Sequence, residues 1–142
     1  MTFLVDNRIQ STSIWIGDSS LSSVYIKNDR QFPWIILVPR VENITEVFQL
    51  PAAERHLLIE EIAKFSKVVN EFCKPDKLNV GALGNIVSQL HVHVIARFEG
   101  DAAWPHGVWH SSCNALPYED AELNRVVSYW RERFDLLDLN WY

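Results

Sequence analysis

Gln89-Leu90-His91-Val92-His93-Val94-Ile95 is the stretch whose reading decides the fold. Side chains of an extended chain alternate between two faces. Leu90, Val92 and Val94 therefore point into a core, while Gln89, His91 and His93 share the opposite face. The β-branched content favours a strand, and Gly84-Asn85 just upstream is a turn signal. Two imidazoles and an amide on one face mark where chemistry is expected.

Leu78 to Leu83 reads as the strand before that turn. Further upstream, Leu58, Ile62, Phe65, Val69 and Phe72 recur at spacings of three and four, so Pro51 to about Cys73 reads as an amphipathic helix that Pro75 stops. Trp34-Ile35-Ile36-Leu37-Val38 lies between two prolines and is wholly apolar, as a central strand covered on both faces should be. Ser13 to Gly17 and Ser23 to Lys27 alternate around Gly17-Asp18-Ser19-Ser20 and form a hairpin. Beyond Arg97 comes a long loop holding Trp104, His106, Trp109 and His110. A second helix runs from about Glu119 to Phe134, with Leu123, Val126, Val127 and Trp130 on one face. Strands joined by short turns and packed with helices define an α+β fold: an antiparallel sheet of about five strands with two helices.

The 142 residues, 48% hydrophobic and 12% aromatic, make one globular domain, 1–142, with no repeat or linker. A net charge of −5 argues against a non-specific nucleic-acid binder but leaves small anions open as ligands. Cys73 and Cys113 form no CxxC pattern and give neither a zinc ribbon nor a disulfide framework. Asp6, Asn7 and Arg8 interrupt any apolar leader, and the longest apolar run is too short to span a bilayer. No membrane partner and a cytoplasmic location are the resulting expectations.

Three readings of the histidine face compete. A His-x-His pair is a half-site for zinc or iron, with His56, His106, His110 or a carboxylate as candidate third ligand. A solvated sheet surface would carry the same residues without function. In the third reading, a neutral imidazole attacks phosphorus while an acceptor holds its other nitrogen protonated.

The residues also resemble a known pattern. Gln89 to Ile95, followed by Arg97, is similar to the histidine triad (HIT) motif, His-φ-His-φ-His-φ-φ with φ apolar, except that Gln89 replaces the first His. Gly84 falls on the glycine of the family's phosphate-binding turn, with Asn85 beside it, and Val87 on the apolar position that follows. Asn79 resembles the family's phosphate-contacting Asn once one residue is deleted. Trp34 to Arg40 resembles its φ-φ-φ-Pro-Lys/Arg strand. The matches run from about residue 24 to residue 97; residues 98–142 match only as a loop and helix.

The resemblance implies an antiparallel sheet with two helices, usually paired into a homodimer. It implies a nucleotide phosphohydrolase or nucleotidyl transferase acting at the α-phosphate of nucleoside phosphate anhydrides or amidates, dinucleoside polyphosphates included. The reaction runs through a nucleotidyl-histidine intermediate and needs no metal or cofactor. His91 corresponds to the nucleophile and His93 to the third histidine, and Asn28 or Asp29 sits near the ribose. Arg97 and Arg40, following strands that end near the triad, are candidates to hold a polyphosphate tail. The alternatives are a catalytically weak nucleotide-binding module and a His-x-His metalloenzyme. Trp34 and Glu42 stand where many members have further histidines, and Ile86 replaces a Ser or Thr. Gln89 can hydrogen-bond but cannot serve as a proton source. A histidine at that place is therefore expected to speed the departure of basic leaving groups most.

Overall fold

The computed structural model describes residues 2–110 and 112–135; the end of the C-terminal stretch, 136–142, lies outside them. Five strands, β1 (Ser13–Asp18), β2 (Ser22–Lys27), β3 (Trp34–Pro39), β4 (Lys77–Gly81) and β5 (Val92–Arg97), form one sheet in the order β1-β2-β3-β5-β4. Every neighbouring pair is antiparallel. The helices are α1 (Asn7–Gln10), α2 (Ala52–Cys73) and α3 (Asp120–Phe134), with a short 3-10 turn at Val47–Gln49.

The two faces of the sheet bury different things. On one, Val24, Ile26, Ile35, Leu37, Val92 and Val94 pack under Leu58, Phe65 and Val69 of α2 and Val127, Trp130 and Phe134 of α3. Phe65 and Phe134 meet edge to face at 4.7 Å, tying the two helices together. On the other, Tyr25, Trp34, Ile36, Val38 and Ile95 lie under Val5 and Ile9 of the N-terminal segment and Ala103 and Val108 of the long loop. β3 is thus buried along its whole length, as its unbroken apolar sequence predicts.

Two differences from the sequence-based expectation have physical causes. β4 stops at Gly81 and β5 begins only at Val92, so Gln89 to His91 lie just before the ladder. There the Leu90 N–H donates to the Ile44 carbonyl at 2.9 Å instead of to a strand. Leu90 still reaches the helical core, so the alternation of faces survives. The third helix is α1, which the sequence reading does not contain. Asp6 caps it by accepting the Arg8 N–H at 2.8 Å. α2 ends where the sequence predicts: Lys74 takes the left-handed conformation (φ 50°) and Pro75 follows.

A buried carboxylate fixes the β1–β2 turn to α2. Glu61, 5% exposed, accepts hydrogen bonds from Ser19 Oγ (2.6 Å), Leu21 N (3.2 Å) and Ser22 N (3.0 Å). Removing it leaves the buried Leu21 N–H without its acceptor and reduces Ser19 Oγ and Ser22 N to the contacts they make with each other's residue (Ser19 Oγ to Ser22 O 3.0 Å, Ser22 N to Ser19 Oγ 3.2 Å). Glu61→Ala should therefore cost about 3 kcal/mol and lower Tm by roughly 10 °C. Calorimetry that placed the variant within a degree or two of the parent would contradict this role.

Candidate active site

His91 and His93 come together as expected, with ring centroids 4.9 Å apart and planes at 73°. Both are largely buried, at 8% and 6% exposure. His91 Nδ1 lies 2.6 Å from the backbone carbonyl of Gln89. A carbonyl only accepts, so Nδ1 carries the proton and Nε2 keeps its lone pair.

His93 has the opposite polarity. The antiparallel register sets Ile36 opposite His93, which leaves Trp34 as its diagonal neighbour on the same face. From there the Trp34 Nε1–H donates to His93 Nδ1 at 2.9 Å. Burial, then the neighbouring His91 and Lys27, push the His93 imidazolium down to about pH 3. His93 is thus neutral at physiological pH. Trp109, from the long loop, packs on His93 at 5.0 Å and on Trp34 at 5.9 Å. The Lys27 ammonium lies 5.6 Å from the Trp34 ring and donates to Thr12 Oγ1 at 2.8 Å.

Gln89 faces a different task from its neighbours. Its Nε2 donates to the Leu4 carbonyl at 2.9 Å, and its Oε1 accepts the Asp6 N–H at 2.8 Å. The side-chain amide acts as a peptide group would, clamping residues 4–6 across the end of the triad. That clamp brings in Asp6 and Arg8, to which the sequence assigns no place in the site. The Arg8 guanidinium donates to the Ile86 carbonyl (2.9 Å) and pairs with Asp6 (2.8 Å). The side-chain and backbone hydrogen bonds from Arg8, with its charge, hold the Asp6 carboxyl at about 2. A cation therefore rests on the Gly84 to Ser88 turn. The available signal was Asp6 as a helix cap two residues before a cation.

Gly84 is required by its backbone: φ is +104°, and a Cβ would lie 3.3 Å from the Val87 carbonyl oxygen. Asn85 beside it is exposed. The remaining candidates lie inside the fold's own hydrogen bonding. Arg97, 1% exposed, donates to both carboxylate oxygens of Asp101 (2.8 and 3.0 Å) and to Asn79 Oδ1 (2.8 Å), and sits over the rings of Phe32 and Trp104. Burial raises the Asp101 carboxyl, but Arg97 and the N–H groups of Phe98, Ala103 and Trp104 outweigh it and hold it well below the carboxylate range. Arg97, Asn79 and Asp101 together anchor the start of the long loop. Asn28 Oδ1 accepts the Tyr118 N–H (2.9 Å). Asp29, 3% exposed, accepts from Gln31 N (3.1 Å) and Leu116 N (3.4 Å), fastening the end of the same loop. Arg40 donates to the carbonyls of Ser19 and Ser20. Among the described residues, no three His, Cys, Asp or Glu side chains are grouped to hold a metal ion. No helix among them is long and apolar enough to cross a membrane.

A five-stranded antiparallel sheet carrying two neighbouring histidines of opposite tautomer, beside a glycine turn, defines a histidine-triad type of protein. The HIT domain model matches residues 8–100, well over half of the chain, and the chain belongs to that family. Members are generally nucleotide-binding hydrolases and transferases. Among solved structures, a histidine triad protein from Sinorhizobium meliloti is 40% identical, with a TM-score of 0.88 over 93% of this chain and 97% of that one. One from Bradyrhizobium japonicum is 39% identical, with a TM-score of 0.88 over 94% and 98%. One from Marinobacter aquaeolei is 36% identical, with a TM-score of 0.91 over 96% and 99%. No curated protein sequence matches the chain significantly.

Proposed function

We propose that the chain is a nucleotide phosphohydrolase or nucleotidyl transferase acting at the α-phosphorus of nucleoside phosphate anhydrides. The observation that carries this reading is the 2.6 Å contact between His91 Nδ1 and the Gln89 carbonyl, which leaves the other nitrogen free to attack. The His91 Nε2–P bond forms as the P–O bond to the leaving phosphate breaks, and that phosphate departs as an anion. Water or another acceptor then attacks the same phosphorus, the P–N bond breaks, and the acceptor's proton passes to solvent. The N–H of His93 binds a phosphoryl oxygen. Lys27 supplies positive charge near the triad, where histidines are absent at positions 34 and 42, while the Arg8 guanidinium, paired with Asp6, is held against the glycine turn. No metal or cofactor enters these steps. Dinucleoside polyphosphates, nucleoside triphosphates and nucleoside phosphoramidates, incubated with the protein and followed by product analysis, test the reading. It expects mononucleotide products from the anhydrides, and a panel without turnover would overturn it.

A second reading is a nucleotide-binding module of weak turnover. It is favoured by the commitment of the Gln89 amide to the N-terminal segment, which leaves the first triad place without a proton donor. The two readings differ in turnover under the same assay.

The working unit is proposed to be a homodimer. β4 is an edge strand with Val80 exposed. Val47 of the 3-10 turn and Ile59 of α2 line a common apolar groove with Val80, and Phe48 (77% exposed) and Leu83 are exposed as well. An uncovered apolar strand edge invites pairing with a second copy. Light scattering should give twice the 16.5 kDa chain mass. A monomer at micromolar concentration would contradict the pairing.

A further inference from the structure

We propose that Trp34 is a positioning residue that holds His93 as the Nε2–H tautomer, a standing hydrogen-bond donor to phosphoryl oxygen in the reaction proposed above, on which this inference rests. An indole Nε1–H can only donate. Set 2.9 Å from His93 Nδ1, it requires a lone pair there and so fixes the proton on Nε2. Water cannot readily compete, because Trp34 and His93 are 5% and 6% exposed. The imidazole is also held on three sides, by Trp34 at 5.6 Å, Trp109 at 5.0 Å and His91 at 4.9 Å between ring centroids.

Two adjacent imidazoles are thereby set to opposite polarity by two different partners. A backbone carbonyl gives His91 a lone pair at Nε2; an indole gives His93 a proton at Nε2. Attack at phosphorus needs one of each, a nucleophile for the phosphorus and a donor for its oxygen. A histidine at position 34 could face Nδ1 as donor or acceptor and would leave the tautomer free to change. Tryptophan removes that choice. What the sequence presents as the loss of a polar group is thus a gain in tautomer control.

Long-range proton–nitrogen NMR of the labelled protein at neutral pH reads the tautomer without any substrate. It should show His93 protonated at Nε2 and bare at Nδ1, and His91 the reverse. Trp34→Phe keeps an aromatic ring and removes the donor. It should turn His93 into a tautomer mixture and lower kcat on an anhydride substrate by roughly tenfold with little change in KM. His93→Gln, which retains a neutral N–H, should keep clearly more activity than His93→Leu, and this pair serves if Trp34→Phe fails to fold. A wild-type His93 protonated at Nδ1, an unchanged tautomer and kcat in Trp34→Phe, or equal losses in the two His93 variants would overturn the proposal. Absence of turnover on every nucleotide overturns the proposed function instead, and the spectrum still decides the tautomer.

Discussion

His91→Ala should lower kcat/KM on a nucleoside anhydride by about 10⁴-fold or more, while the nucleotide Kd changes by no more than about threefold. The size of the loss follows from what disappears. Without an imidazole at position 91, the two-step route through a covalent intermediate closes, and only uncatalysed attack by water remains. Binding should survive, because the glycine turn, Arg8 and Lys27 do not depend on that ring. The alanine also leaves the Gln89 carbonyl without its partner, a contact that lies at the edge of the strand rather than in the helical core. Steady-state kinetics beside a calorimetric binding titration separates the two effects. Activity within tenfold of the parent would remove His91 from the nucleophile's place, and a parallel loss of binding would make its role structural.

The second large effect concerns the leaving group. General acid catalysis is worth about 10² to 10⁴ in rate, and none of the three triad places offers a titrating acid. The Gln89 amide is bonded to Leu4 and Asp6. His93 is neutral and keeps its Nε2 proton as a hydrogen-bond donor. His91 is the proposed nucleophile. Turnover should therefore fall steeply as the leaving group becomes more basic, with phosphoramidates and alkyl esters roughly a hundredfold or more below anhydrides. The sequence alone implies that Gln89→His raises the rate on poor leaving groups. The structure implies the opposite, since one imidazole cannot both donate to Leu4 and accept from Asp6 in the amide's geometry. Residues 4–8 should loosen, and KM should rise without a gain in kcat. Plots of log kcat/KM against leaving-group pKa for both forms decide this. A shallow slope in the parent, or a selective gain for Gln89→His, would show that a proton donor has been overlooked.

The parts legible in the sequence are those set by local periodicity. The alternation from Gln89 to Ile95, the apolar run of β3 and the three-and-four spacing of α2 each depend on one element meeting one core. At the site, the neighbouring placement of His91 and His93 and the positive-φ glycine at 84 follow from the same local rules. What could not be read depends on contacts between distant segments. The bonds from Leu4 and Asp6 to Gln89 link residues more than eighty positions apart. Arg97 looks like a free cation after a strand, yet it is buried because Asp101 folds back onto it and Asn79 on β4 accepts its third bond. Asn28 and Asp29 look like turn residues open to a ribose, but they bind the chain's own loop near Leu116 and Tyr118. Trp34 reads as a missing histidine until the sheet register sets its indole against His93.

The proposed reaction requires His91 to carry the nucleotide in mid-reaction. Rapid mixing with a substrate labelled at the α-phosphate, followed by quenching, digestion and mass spectrometry, tests it most directly. A single nucleotidyl group is expected on His91, stable to alkali and labile to acid, forming and decaying at rates that match turnover. A label on any other residue, or turnover with no labelled protein at any time point, would contradict it.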